Sequence, residues 1–226
     1  MMPQRKGKKI LIYFFLLLIV GSINNDTINK LKFEKIKNIN VLGLGHKDNQ
    51  ILLYNIIDLN LGNIFFLNKQ AINNLINSNT LIQDYEIFKR YPNTLDINIQ
   101  RTKFLAKIKK DEKIFLIGSN GKLSSLEYED ENNFLPFIFG RPEIGQFLKF
   151  KKVIDNSNFK YKDIENLFFF SSNRWDIQLK NNLLIKLPSK NLIKNLNLVS
   201  DFLSQNRNKS IKVVDVRIQN QIILDD

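Results

Sequence analysis

Apolar and polar positions alternate along Thr94–Arg101, where Leu95, Ile97 and Ile99 interleave with Asp96, Asn98 and Gln100. That is the period-two pattern of a strand with one buried face. Tyr91-Pro92-Asn93 ahead of it predicts a turn, because proline fixes its own backbone angle and pushes the preceding residue into extended conformation. Leu81–Lys89 is then the partner strand of a hairpin. Upstream, Glu34–Val41 reads as a strand through Ile36, Ile39 and Val41, and Gly43, Gly45 and His46 mark an exposed turn. Asp48 is placed to cap a helix whose apolar positions are Ile51, Leu52, Ile56 and Leu59. Gly62-Asn63 breaks the chain, and Ile64–Leu67 is a short apolar run expected to be buried. Asn68 is placed to cap a second helix, Lys69–Asn77, with Ala71, Ile72, Leu75 and Ile76 on one face. Strand, helix, helix, strand, strand over about seventy residues can bury a small core if the helices cover one face of the sheet.

The second half has a different texture. Phe104–Ile108 and Lys113–Ile117 read as strands, and Asn120-Gly121 is a hairpin turn signal, since both residues tolerate positive φ. Glu127–Glu131 is acidic and reads as an exposed loop. Leu135–Gly140 is a short strand ending in a turn, and Glu143–Asp155 has helical spacing through Ile144, Phe147, Leu148, Val153 and Ile154. Strands follow near Leu167–Ser171 and at Arg174–Leu179, where Trp175, Ile177 and Leu179 share a face. Trp175 therefore reads as core more than as a contact residue. Asn181-Asn182 turns the chain into Leu183–Leu187, Pro188-Ser189 opens a helix over Lys190–Gln205, and two strands follow at Ile211–Ile218 and Gln221–Leu224. The fold class is α+β: a β-α-α-β-β domain, then a mixed β-domain with helices.

The N-terminus adds a membrane signal. Arg5, Lys6, Lys8 and Lys9 precede an apolar run, Ile10–Val20, extendable to Ile23. Fourteen residues of helix span about 21 Å, short of the roughly 30 Å hydrocarbon core. That length suits the apolar region of a signal peptide, yet the small residues that cleavage requires are sparse. Gly21 and Ser22 lead straight into Ile23-Asn24-Asn25, and no alanine occurs before Ala71. An uncleaved anchor at 10–23 is the preferred reading and a cleaved signal the other. Snorkelling lysines and local bilayer thinning cover the missing length. The basic flank, 1–9, stays cytoplasmic, and the chain beyond the anchor lies outside. Residues 24–33 form a linker, 34–102 the first domain and 103–226 the second.

Composition narrows the chemistry. A net charge of +12 permits nucleic acid or anionic lipid as a partner. The basic residues are dispersed among Asn and Ile, however, which fits a solvated surface better than a nucleic-acid site. With one histidine, no cysteine and carboxylates scattered over different elements (Asp48, Asp58, Asp84, Asp96), the usual catalytic pairings and metal-ligand clusters have few candidates. The Gly43-x-Gly45 pair lacks the further glycine of a phosphate loop. No enzyme activity, cofactor or small-molecule substrate is expected. Binding through strand edges is better founded, because an edge exposes unpaired N–H and C=O groups to which a partner strand can add.

The hairpin at Arg90–Arg101 resembles the last hairpin of the POTRA domain in the FtsQ/DivIB family of bacterial cell-division proteins. Further stretches resemble that family in the same order: Leu135-Pro136 with Gly140, Ser172-Asn173-Arg174-Trp175, Ile185-Lys186-Leu187-Pro188 and Val214-Asp215-Val216-Arg217. The likeness extends from Arg5 to Leu224. Departures are a very short cytoplasmic tail, a short membrane run, and Lys103-Phe104 where the family often has an acidic residue and proline. The resemblance implies a divisome scaffold in the cell inner membrane at the septum, with the bulk of the chain periplasmic. It implies division membrane proteins of the FtsB and FtsL type as partners, the former adding a strand to the C-terminal strands. Carried onto this chain, the partner-binding region is Ile218–Leu224, with Ile218, Asn220 at the turn, Ile222, Leu224, and Arg174 on a nearby strand. Ile222 and Leu224 could equally be core residues of that strand, and Asp215 with Arg217 a structural salt bridge or hydrogen bonds. The POTRA hairpin would offer a second edge. The alternatives are a periplasmic POTRA-bearing chaperone or transport accessory for outer-membrane proteins, and a secreted basic binding module. Neither a second copy of the Arg90–Arg101 pattern nor enough strands for a barrel is visible.

Overall fold

The computed structural model describes residues 5–23, 34–128, 134–205, 211–219 and 221–225. The expected linker at 24–33, residues 129–131 of the acidic loop, and Asn220 lie outside the described residues.

Helix α1 (Arg5–Ile23) carries the N-terminal apolar run. Its side chains from Ile10 to Val20 are exposed on every face. Among the described residues no helix is long and apolar enough to cross a membrane.

The first domain comprises β1 (Asn38–Leu42), α2 (His46–Asp58), α3 (Lys69–Ser78), β2 (Ile82–Arg90) and β3 (Thr94–Arg101). Its sheet has the order β1-β3-β2, with β1 parallel and β2 antiparallel to β3. Leu95 and Ile97 of β3 meet Leu52 and Ile56 of α2 and Ile72 and Ile76 of α3 in a single core. Gly43 is required at its turn: φ is +115° and an added Cβ would lie 1.8 Å from the Ile99 carbonyl oxygen.

Local detail departs from expectation in three places. Asp48 does not cap α2. Gly45 occupies the cap without a side-chain bond, the Asn49 side chain instead ties to both backbone groups of Leu44, and Asp48 sits in the positive first turn. His46 is exposed but opens the helix rather than lying in a turn. In the run expected to be buried, Ile64 is buried while Phe65 and Phe66 are 51% and 75% exposed. The cause is the Asn63 side chain, whose oxygen accepts from the N–H groups of both Phe65 and Phe66 and folds the run into a turn. Asn68 caps α3 as expected, accepting from the Ala71 N–H.

Among the described residues the second domain forms one sheet of nine strands in the order β12-β11-β10-β9-β8-β7-β4-β5-β6. These are β4 (Phe104–Lys110), β5 (Lys113–Gly118), β6 (Leu123–Ser125), β7 (Phe137–Phe139), β8 (Ile164–Phe169), β9 (Trp175–Leu179), β10 (Leu184–Lys186), β11 (Val213–Asp215) and β12 (Ile223–Asp225). Helix α4 (Ile144–Asp155) connects the parallel pair β7 and β8, and α5 (Leu192–Gln205) the parallel pair β10 and β11. Both crossovers move the same way along the sheet, so right-handed connection places both helices on one face. There Phe147, Phe150 and Ile154 of α4 and Leu196 and Val199 of α5 cover Ile177, Ile185 and Val214. Trp175 is buried and stacks on Phe150 at 4.7 Å between ring centroids. β8 stops at Phe169 because Phe170 N–H donates to Arg174 C=O and Asn173 takes a positive φ, closing a turn. β11 is shorter than the sequence pattern suggests, three residues in place of eight.

The two domains meet through polar groups. The Asn120 amide donates to the carbonyls of Thr80 and Ile82, each at 2.9 Å. Lys122 Nζ donates to the Asn77 and Asn79 carbonyls at the C-terminal end of α3, where a cation is favoured. Ser119 Oγ donates to the Gln83 side-chain oxygen.

Candidate interaction edge

β12 is the outermost strand at one end of the nine-stranded sheet and pairs antiparallel with β11 alone among the described residues. Its outward backbone groups are the kind of template to which another strand can add. At the other end, β6 is three residues long and its Ser124 is buried at the junction with the first domain.

Register divides the edge into two faces. Leu224 lies opposite Val214, whose side chain is fully buried against the helices, so Leu224 and Ile222 share the helix side. Ile222 is half-buried against the second domain's core and forms one wall of an open groove of about 1070 Å³ beside α5, with Val153, Leu192, Ile193 and Leu198. Ile223 lies opposite Asp215 and is 47% exposed on the other side of the sheet. Ile218 is exposed in the segment leading to the edge. The structure thus brings Ile218, Ile222 and Leu224 to one edge, and the adjoining Ile223 is the residue that sequence reasoning passed over. Ile222-Ile223-Leu224 is an unbroken apolar triplet, so no alternation reveals which member faces out.

Inward from Ile223 on that open face, Asp215, Lys186 and Asp176 occupy successive register positions on β11, β10 and β9. Arg217 chelates Asp215, with Nε at 2.9 Å and Nη2 at 2.5 Å from its oxygens. This pairing holds the Asp215 carboxyl below its usual range, and Arg217 in turn is raised by the same carboxylate. The expected structural pairing is present. Arg174 donates to Asp176 and places its guanidinium 4.1 Å from the Phe170 ring centroid. Asp176 also accepts from the Leu187 N–H, yet burial outweighs these contacts and raises its carboxyl. Arg174 therefore lies three strands in from the edge, about 14 Å at normal strand spacing, and is already engaged. The Arg174-x-Asp176 spacing repeats that of Asp215-x-Arg217, a signal that was readable in sequence and missed.

No group of three or more His, Asp or Glu side chains among the described residues gathers where it could hold a metal ion.

Comparison with known proteins places both domains. Residues 34–100 match the POTRA domain, FtsQ-type, and residues 106–217 match the cell division protein FtsQ/DivIB C-terminal domain. The chain is 25% identical to cell division protein FtsQ of Rickettsia conorii, over 88% of this chain and 75% of that protein. It is 27% identical to FtsQ of Rickettsia felis over the same shares. With cell division protein DivIB of Clostridium botulinum it shares 26% identity over 92% of this chain and 86% of that one. A solved extracytoplasmic domain of DivIB from Geobacillus stearothermophilus aligns with 48% of the chain at 9% identity and a TM-score of 0.34, too loosely to add to the argument.

Proposed function

We propose, from the premise that the chain belongs to the FtsQ/DivIB family of bacterial cell-division proteins, that it is a non-enzymatic membrane scaffold of the divisome. In this reading α1 is an uncleaved anchor in the cell inner membrane. Over Ile10–Val20 the helix is apolar and exposed on all sides, a surface that lipid would match. Its apolar stretch falls short of the hydrocarbon thickness, so in this reading Lys8 and Lys9 snorkel to the headgroups and the bilayer thins locally around it. The domains then lie in the periplasm and link early with late division proteins. A mature chain starting at residue 23 or later would contradict the anchor.

The observation that carries the binding function is the open edge of β12. A division membrane protein of the FtsB type adds an extended segment there. Main-chain hydrogen bonds supply affinity, Ile223 supplies an apolar contact on one side, and the groove beside Ile222 and Leu192 receives a side chain on the other. An FtsL-type protein joins through the same complex. Arg174 contributes by ordering the charged row behind the edge through Asp176. No match favours the chaperone or transport alternative.

Co-purification of the full chain with FtsB-type and FtsL-type proteins from solubilised membranes tests this. The partners are expected to be retained by the native chain and lost with Ile223→Asp. Absence of the partners from a natively folded chain would refute it.

A further inference from the structure

The first domain has two poles, and the structure assigns them different neighbours. One pole, at Asn77–Ile82, is bonded to Asn120 and Lys122 of the second domain. The other gathers Glu34–Lys37, Asn63–Phe66 and Lys89–Asn93. Ile36 N–H donates to Gly62 C=O, Lys37 N–H to Asn93 C=O, the Asn93 amide to Glu34, and Lys89 Nζ to Ile64 C=O. The described chain resumes at this second pole after α1. Only eleven peptide units separate Ile23 from Glu34, a reach of at most about 40 Å when fully extended.

This same pole carries three aromatic residues that the domain's core leaves exposed. Phe65, Phe66 and Tyr91 are 51%, 75% and 62% exposed, and the Phe65 and Tyr91 rings lie 5.1 Å apart, so they form one patch. Lys35, Lys37, Lys69 and Arg90 stand exposed on the segments that form it; Lys37 is paired with Glu34 and Arg90 with Asp96, which leaves Lys35 and Lys69 as the cations set toward phosphate. Rings flanked by cations are the composition of a surface that rests in a bilayer interface, with the rings at headgroup depth and the cations on anionic phosphates. A protein partner could use the rings, but the short tether beside a helix of exposed apolar side chains selects the bilayer.

We propose that the Phe65–Phe66–Tyr91 pole lies on the membrane that holds α1, seating the first domain against anionic lipid so that the β12 edge projects away from the bilayer. This rests on α1 being an anchor. The chain contains no cysteine, so single dye positions can be installed without removing native thiols. Phe66→Cys and, as a control, Leu42→Cys are each labelled with an environment-sensitive nitrobenzoxadiazole dye. Leu42 is equally apolar and 61% exposed, but sits at the end of β1 near the opposite pole. The full-length variants are placed in nanodiscs of phosphatidylcholine mixed with phosphatidylglycerol. The dye at 66 is expected to shift to shorter wavelength and to be quenched severalfold more by headgroup spin-labelled lipid than the dye at 42. Lys35→Glu with Lys69→Glu should reduce that quenching. Equal quenching at 66 and 42, with the protein retained in the discs, would overturn the lipid-facing pole and leave the anchor standing. Loss of the protein from the discs would overturn the anchor and this proposal together.

Discussion

Asp215 and Asp176 are two carboxylates on one sheet face whose surroundings push them in opposite directions. The Arg217 side chain holds Asp215 below its ordinary value of 3.8, so its contribution to stability is present above that value and is lost as pH falls through the lowered one. Asp215→Asn should melt lower than the native protein at neutral pH, and the gap should narrow as pH drops below 4, read from thermal unfolding at a series of pH values. Burial raises Asp176, so the sign reverses: stability associated with it falls as pH rises through the window between its unfolded and folded values. Asp176→Asn should therefore remove a loss on the alkaline side of that window. Trp175 was legible because its alternation with Ile177 and Leu179 names a buried face, and its stacking on Phe150 bears this out. Truncation to Ala should cost about 3–5 kcal/mol in denaturant unfolding, the range for large aromatic cores.

At the scale of elements, regular periods were readable and local side-chain chemistry was not. The β2–β3 hairpin, the α3 cap at Asn68 and the α4 stripe follow from spacing and capping rules that act within a few residues. Phe65 and Phe66 were misplaced because a four-residue apolar run carries no period, while two bonds to the Asn63 side chain turned it outward. The triplet at Ile222–Leu224 was ambiguous for the same reason, and pairing with β11 decides it. That register separates two substitutions one residue apart. Ile223→Lys should leave unfolding stability within about 0.5 kcal/mol, as expected of an exposed site, while abolishing partner retention. Ile222→Lys should instead destabilise the fold by roughly 1–3 kcal/mol, since its side chain packs on the core.

For the whole molecule, sequence indicated two domains in order but not how they are joined. Asn120-Gly121 announces a hairpin turn, yet the carbonyls that receive the Asn120 amide lie some forty residues upstream at Thr80 and Ile82, a relation that only the folded chain creates. This turn clamps the second domain to the end of α3 and so fixes the β12 edge relative to the first domain. Asn120→Ala combined with Lys122→Ala removes four donated bonds. It should broaden the distance distribution between spin labels on the two domains without lowering the partner affinity of isolated β12 contacts. The central claim is that β12 binds by strand addition, and amide hydrogen exchange across residues 221–225 of the full-length protein tests it most directly. On binding the FtsB-type partner, the outward amides of Ile223–Asp225 should become strongly protected while those of β6, at the far end of the sheet, keep their rates. Tight binding with unchanged exchange along β12 would contradict the account.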